Sequence, residues 1–439
     1  MQTNSTSLTH KRVLGVAVPI VLANATIPIL GAVDTAVVGQ LGLAAPIGAV
    51  GIGAIIITAI YWLFGFLRMG TTGLTAQAIG SGDKSETSAL LVRGIVIGLV
   101  AGLVLIIAQV PIFLGALQLS PASMEVESLA QKYLQIRVYS APAAIALFGI
   151  TGWLIAKEKT RAVLLLQLVL NGINIALDLV FVLKLGWGVE GVAIATLIAE
   201  WSGLIFGLWL AREGFNNGYW KNWIQIFDRV RLIQMAKVNS DIMIRSILLE
   251  IGFVSFLFLG SSFDDATLAA NQVLIQFLHI TAYALDGFAF AAEALVGQAL
   301  GAKNRPLFRR AVIMTSQWGL GSVILMALAF FVFGNSIINV MTTAEDVRVV
   351  SYEYLPWMVA APLAGVAAWM LDGIFIGATR TADMRNMMFI SFCIYLIALA
   401  LLLPSYGNHG LWASLIIFSI ARGVTLGFKY PALEKSSEH

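Results

Sequence analysis

The chain is poor in charge, cysteine and histidine, and each scarcity removes a class of function. Only 12% of its 439 residues are charged while 59% are hydrophobic, against roughly a quarter charged in soluble domains. A water-soluble globular fold is excluded, and the mean hydropathy of +0.87 fits a polytopic membrane protein. The single cysteine, Cys393, rules out an intrachain disulfide and a multi-cysteine metal centre. In its apolar run it reads as a small packing residue. His10, His279, His409 and His439 are scattered without metal-ligand spacing. Neither a phosphate-cradling glycine loop nor a nucleophile motif occurs, so no cofactor, no metal centre and no nucleic-acid partner is expected. The polar start 1–10 has no basic region or cleavage site, and no signal peptide is read there.

Long apolar runs are what the chain has in quantity. A membrane-crossing helix needs about 20 such residues, and on that rule about twelve spans are predicted. They cover 13–39, 47–69, 90–113, 129–155, 163–183, 189–210, 236–260, 268–292, 311–333, 349–376, 387–404 and 411–428. One set of ends is basic, with Lys11 and Arg12, Lys157 to Arg161, Lys303 to Arg310, and Arg380 and Arg385. The other set offers only Lys132, Lys184 and Arg348. By the positive-inside bias both termini face the cytoplasm. The longest connection, 213–235, is basic and aromatic and reads as an interfacial helix. It divides the chain into an N-lobe (1–212) and a C-lobe (236–439).

The two halves repeat. Residues 72–80, TGLTAQAIG, match 293–301, EALVGQALG, with Gln77 against Gln298 and Gly80 against Gly301. Both pairs lie 221 apart (298 − 77, 301 − 80), and Tyr133/Tyr354 and Thr160/Thr381 keep that offset. Two six-helix lobes in the same orientation place a substrate cavity at their interface.

Against this repeat, two acids stand out. Asp34 and Asp178 lie inside apolar spans, and at the same offset the other half has Ser255 and Leu399. A charge in hydrocarbon costs at least about 2.5–3.5 kcal/mol, so shared architecture is not the reason for these acids. Asn174 and Asp178 share a helix face, and Asn171 extends the stripe. Within one cavity, the two carboxyls make a proton carrier. Pro28 removes a backbone donor six residues before Asp34 and predisposes the first span to kink. The second half has its own charges, Arg245, Glu250, Asp286, Glu293 and Asp372. Asp286 or Asp372 is a candidate to meet cationic cargo, with Glu293 nearby, and Tyr139, Trp153, Phe288 and Met370 are candidate apolar walls. An internal ion-pair network involving Arg245 is the competing reading.

Several strings resemble the multidrug and toxic compound extrusion (MATE) transporters. They are 24–39, NATIPILGAVDTAVVG; 67–78, LRMGTTGLTAQA; 283–294, YALDGFAFAAEA; and 371–380, LDGIFIGATR, running on to Met384, Arg385 and Asn386. The last three narrow the likeness to the DinF branch. The resemblance implies an all-α, V-shaped pair of six-helix lobes in a bacterial inner membrane. It also implies a monomer that exports small organic compounds against H+ or Na+. Family polar positions fall on Asp34, Asn174, Asp178 and Thr196, where some members bind a cation, and the branch is usually read as proton-coupled. A lipid-linked oligosaccharide flippase is the alternative, but it calls for a more cationic cavity. An intramembrane enzyme is another, but it calls for a metal-binding acidic cluster, and the adjacent acids Asp264 and Asp265 lack further partners in sequence.

Overall fold

A computed structural model describes residues 8–40, 42–118, 123–216 and 218–438. The polar start before Leu8 and His439 lie outside them. Among the described residues the chain is helical, without strands. In order, the helices are α1 (His10–Ala25), α2 (Ile27–Gly39), α3 (Ala44–Trp62), α4 (Gly65–Gly80), α5 (Lys84–Ile107) and α6 (Gln109–Gln118). Then follow α7 (Met124–Arg137), α8 (Ala141–Ala156), α9 (Thr160–Asp178), α10 (Gly188–Leu210) and the single turn α11 (Trp223–Ile226). The rest is α12 (Arg229–Gly260), α13 (Asp265–Gly301), α14 (Arg305–Met341), α15 (Glu345–Gly377) and α16 (Thr381–Ser436).

Eleven segments of the described chain are long and apolar enough to cross a membrane. The last, α16, has 56 residues, about 84 Å at 1.5 Å per residue against a hydrocarbon core of about 30 Å. Gly407, at φ 54°, breaks it, so α16 holds the two spans expected at 387–404 and 411–428.

The sequence repeat is repeated in backbone geometry. Gly82 and Lys303 both adopt a left-handed φ, of 77° and 51°, and so do Glu158 and Thr379, at 58° and 51°. Each pair is 221 residues apart. A non-glycine residue there costs about 1–3 kcal/mol, so Lys303, Glu158 and Thr379 are held by their surroundings. The caps match as well: Asp83 accepts from the Glu86 N–H (2.8 Å) and Asn304 from the Leu307 N–H (2.9 Å). A Cβ on Gly152 would strike the Arg68 carbonyl, and one on Gly373 would strike the Ala289 carbonyl. The same helix pair therefore packs backbone to backbone in each half.

The chain divides into two compact units. One takes Leu22–Ala78 and Asp83–Met235, with Val38, Leu67, Leu134, Ile145 and Val192 in its core. The other takes the described residues of Met1–Val21, Ile79–Gly82 and Ala236–His439, with Phe256, Phe277, Tyr395, Trp412 and Phe418 in its core. Two short pieces thus group with the other half of the sequence. In this second unit α1 lies along α13, where Gly287 lets the Ala17 carbonyl approach, and Arg12 donates to Gln298 (3.1 Å).

The connection expected as an interfacial helix is instead two short 3₁₀ turns and α11. Arg93 explains the difference, because it donates to the carbonyls of Ile226 (2.7 Å) and Gln225 (2.6 Å). Those bonds clamp the connection to α5 rather than leaving it a free amphipathic helix. Its Trp223 and Phe227 rings still stack, exposed, at 5.8 Å. Glu213, ahead of it, is opposed by partial burial but paired to Lys157 and Lys159, which together hold its carboxyl below the usual range. Cys393, expected to pack, is exposed.

Candidate functional site

Four elements of the first unit assemble the site. The break at Thr26 separates α1 from α2, with Pro28 at the start of α2, because proline leaves no N–H for the carbonyl four residues back. Asp34 sits on α2, half-buried. Asn171, Asn174 and Asp178 line the buried face of α9, and Asp178 and Asn174 are completely buried. Directly after Asp178 the helix widens into a π turn, Leu179–Lys184, a distortion found often at functional sites. Thr196 projects from α10, also buried.

These residues meet. The Asp34 and Asp178 carboxyls converge on the Asn174 amide and lie within electrostatic reach of each other. Assigned from its neighbours with the acids taken as acceptors, the Asn174 amide turns its nitrogen toward Asp34 Oδ1 (3.1 Å) and Asp178 Oδ2 (3.2 Å). Its oxygen then accepts from Thr196 Oγ1 (2.9 Å) and the Thr196 N–H (3.2 Å). In the opposite orientation the nitrogen donates to Thr196 Oγ1 (2.9 Å), which donates on to the Val192 carbonyl (3.0 Å), and the amide oxygen facing the two carboxyls is satisfied only by a protonated one. Asp178 Oδ1 is buried with no hydrogen-bond partner among the described residues. Asn171 donates to Thr26 Oγ1 (2.9 Å) and accepts from Gln167 (2.9 Å). The polar stripe of α9 therefore reaches the break in the first span.

A second polar layer lies one turn away, and sequence reading missed it. Arg137 and Tyr133 are four apart on α7, as Glu200 and Thr196 are on α10. Arg137 pairs with both oxygens of Glu200, at 3.1 and 3.2 Å, and donates to Ser140 (2.8 Å). The Tyr61 hydroxyl donates to the Arg137 carbonyl (3.0 Å). Arg137 is within electrostatic reach of Asp34, and Tyr133 stands beside both. At the repeat offset, Arg137 and Glu200 face Met358 and Ala421. The comparison that singled out Asp34 applies equally to them.

The second unit carries a different cluster. Asp372 Oδ2 accepts from Arg245 and from Arg422 (2.7 Å), and all three side chains are buried. The sequence makes Asp372 a candidate to meet cargo; in the fold two guanidinium groups already neutralise it. Asp286 and Glu293 lie within electrostatic reach of Arg245, and Glu293 is 1% exposed. Among the expected apolar walls, Trp153, Phe288 and Met370 are buried. Trp153 donates to the Thr87 carbonyl and Met370 packs on Gly319, so packing accounts for both. Tyr139 is exposed.

The MatE family profile matches residues 19–180 and 242–402, one block in each half of the repeat. DNA damage-inducible protein F of Escherichia coli is 38% identical over 415 residues, covering 93% of this chain and 89% of that one. A probable multidrug resistance protein NorM of Bacillus anthracis is 25% identical over 452 residues, covering 97% and 95%. The fold matches the Vibrio cholerae MATE transporter VcmN in the bent form with a TM-score of 0.84, at 23% identity, over 98% of this chain and 97% of that one. A MATE in the bent conformation matches with a TM-score of 0.88, at 18% identity, over 98% of this chain and 97% of that one. These proteins are transporters, not enzymes. From both halves of the repeat and the near-full-length relative it follows that the chain belongs to the MatE family of multidrug and toxin efflux transporters.

Proposed function

We propose that the chain is a secondary antiporter that exports lipophilic, cationic organic compounds in exchange for H+, through alternating access. The observation that supports the proton is the meeting of two acids at a buried site: the Asp34 and Asp178 carboxyls converge on the Asn174 amide, and Asp178 is completely buried. Two carboxyls brought together in this way share a proton between them. Na+ at Asp34, Asn174, Asp178 and Thr196 is the competing occupant, with the amide oxygen turned to the carboxyls.

Proton loading then acts on the first span. With the pair protonated, Asp34 and Asp178 approach; with both ionised they repel. That change pulls α2 relative to α9, and the Asn171–Thr26 bond carries it to the break before Pro28. In the second unit Asp286 is the acid assigned to cationic cargo, since Asp372 is occupied by arginines. The protein works as a monomer in the inner membrane with both termini cytoplasmic, a reading supported by the basic ends of the spans.

Dye efflux from vesicles, with a pH or a Na+ gradient imposed one at a time, tests this. A pH gradient alone is expected to drive efflux, and Asp34→Asn to abolish it while membrane insertion is intact. Full efflux in that variant removes Asp34 from the mechanism, and efflux driven by Na+ alone overturns the proton assignment.

A further inference from the structure

The Arg137–Glu200 pair has no architectural reason in the repeat, and gluing helices is an expensive use for it. Burying two ions costs several kcal/mol per ion, and the second unit has the uncharged Met358 and Ala421 at the equivalent positions. The position is also specific. On both α7 and α10 the pair lies one helical turn from the site residues Tyr133 and Thr196, and its members bridge the two helices at 3.1 and 3.2 Å. Arg137 Nε is buried without an acceptor among the described residues, so the guanidinium is not fully satisfied by Glu200 and Ser140. Its charge acts on Asp34.

We propose that Arg137, held by Glu200, specifies the coupling ion by supplying the Asp34–Asp178 pair with the positive charge that a metal cation would otherwise bring. The inference rests on the reading that this pair carries the ion. The charged and titratable groups around the pair are accounted for on each neighbouring element. α7 gives Tyr133 and Arg137, α10 gives Glu200, and α3 gives Tyr61, which hydrogen-bonds at Arg137; Lys184 in the π turn is exposed. A monovalent cation entering the cage meets like charge on the Arg137 side, and repulsion between buried charges is screened by salt much less than repulsion at the surface. A proton is exempt, because it binds covalently to a carboxyl oxygen and needs no cage.

The two members of the pair make opposite predictions, which a purely structural role does not. Arg137→Gln leaves Glu200 as a third carboxylate beside the cage, so Na+ is admitted. Glu200→Gln leaves Arg137 uncompensated, so Na+ is excluded more strongly. The purified full-length chain in detergent is heated in NaCl or in choline chloride at equal ionic strength. Wild type and Arg137→Lys are expected to show no Na+-specific rise in Tm. Arg137→Gln is expected to show one, with apparent Na+ affinity at least about tenfold above wild type, equivalent to about 1.4 kcal/mol. Glu200→Gln is expected to show none. Should Arg137→Gln fail to fold, the double variant Arg137→Gln/Glu200→Gln leaves no unpaired charge and is read in its place, with Na+ affinity above wild type. Wild type responding to Na+ as Arg137→Gln does, both single variants responding alike, or an indifferent double variant overturns the proposal. Adding Asp34→Asn to Arg137→Gln must remove the response; survival of the response places the ion elsewhere and also overturns it. Failure of the coupling reading itself shows separately, as retained dye efflux in Asp34→Asn alone.

Discussion

Asn174 gives the sharpest test of the site, because one amide touches every other member. Asn174→Leu keeps the side-chain volume but deletes the donors at 3.1 and 3.2 Å from Asp34 and Asp178 and the acceptor facing Thr196. A hydrogen bond to a charged group is worth about 1.5–3 kcal/mol, and at least one carboxyl is ionised through part of the cycle. Losing that donor is therefore expected to lower ion-driven transport roughly tenfold to a hundredfold. Without Asn174 the Thr196 hydroxyl still has the Val192 carbonyl (3.0 Å) to donate to, so the loss is confined to the site. The measurement is initial dye efflux rate from vesicles at a fixed pH gradient, with insertion and thermal stability recorded in parallel. Wild-type efflux in a folded Asn174→Leu protein would refute the reasoning, since that amide is the donor shared by both carboxyls.

Three other outcomes follow from geometry elsewhere. Asp372→Asn takes the carboxylate from two buried arginines, Arg422 and Arg245, leaving Arg245 only the more distant Asp286 and Glu293, and is expected to cost about 3–5 kcal/mol, read as a fall in Tm; an unchanged Tm contradicts the burial argument. Gly152→Val and Gly373→Val place side-chain atoms against the Arg68 and Ala289 carbonyls and should each sharply reduce folded protein on size-exclusion chromatography, whereas Gly31→Ala, with open space around it, should not. Glu213, with its carboxyl held below the usual range by Lys157 and Lys159 against the effect of partial burial, contributes stability above its unfolded pKa that is lost as pH falls. Glu213→Gln should therefore flatten the acid side of a Tm-against-pH curve, with only a small change near neutrality.

The twelve spans and the repeat were legible because hydrophobic length and a fixed offset are properties of the sequence itself. Asp34, Asn171, Asn174 and Asp178 were legible for a related reason: polar groups in an apolar stretch need a partner, and spacing of three and four residues puts them on one face. The orientation of the Asn174 amide was not, because nothing in a sequence says which end of an amide points where. Arg137 and Glu200 fall inside the spans expected at 129–155 and 189–210, but with Glu125, Glu127 and Lys132 just ahead of it Arg137 does not stand out from its neighbours as Asp34 does. Only the fold reveals that Arg137 and Glu200 are buried and opposed. The arginines on Asp372 are separated from it by more than a hundred residues in one case and fifty in the other, so pairing there is a tertiary fact. Short pieces such as Ile79–Gly82, which group with the second unit, likewise follow from packing rather than from local pattern.

The claim beneath the rest is that the Asp34–Asp178 pair holds a proton. Difference infrared spectroscopy of the purified protein, wild type against Asp34→Asn and Asp178→Asn, reads this directly through the C=O stretch of a protonated carboxyl. The account predicts such a band in wild type, removed by either substitution and unaffected by Na+. A wild type without the band, or a band that survives both substitutions, would contradict it.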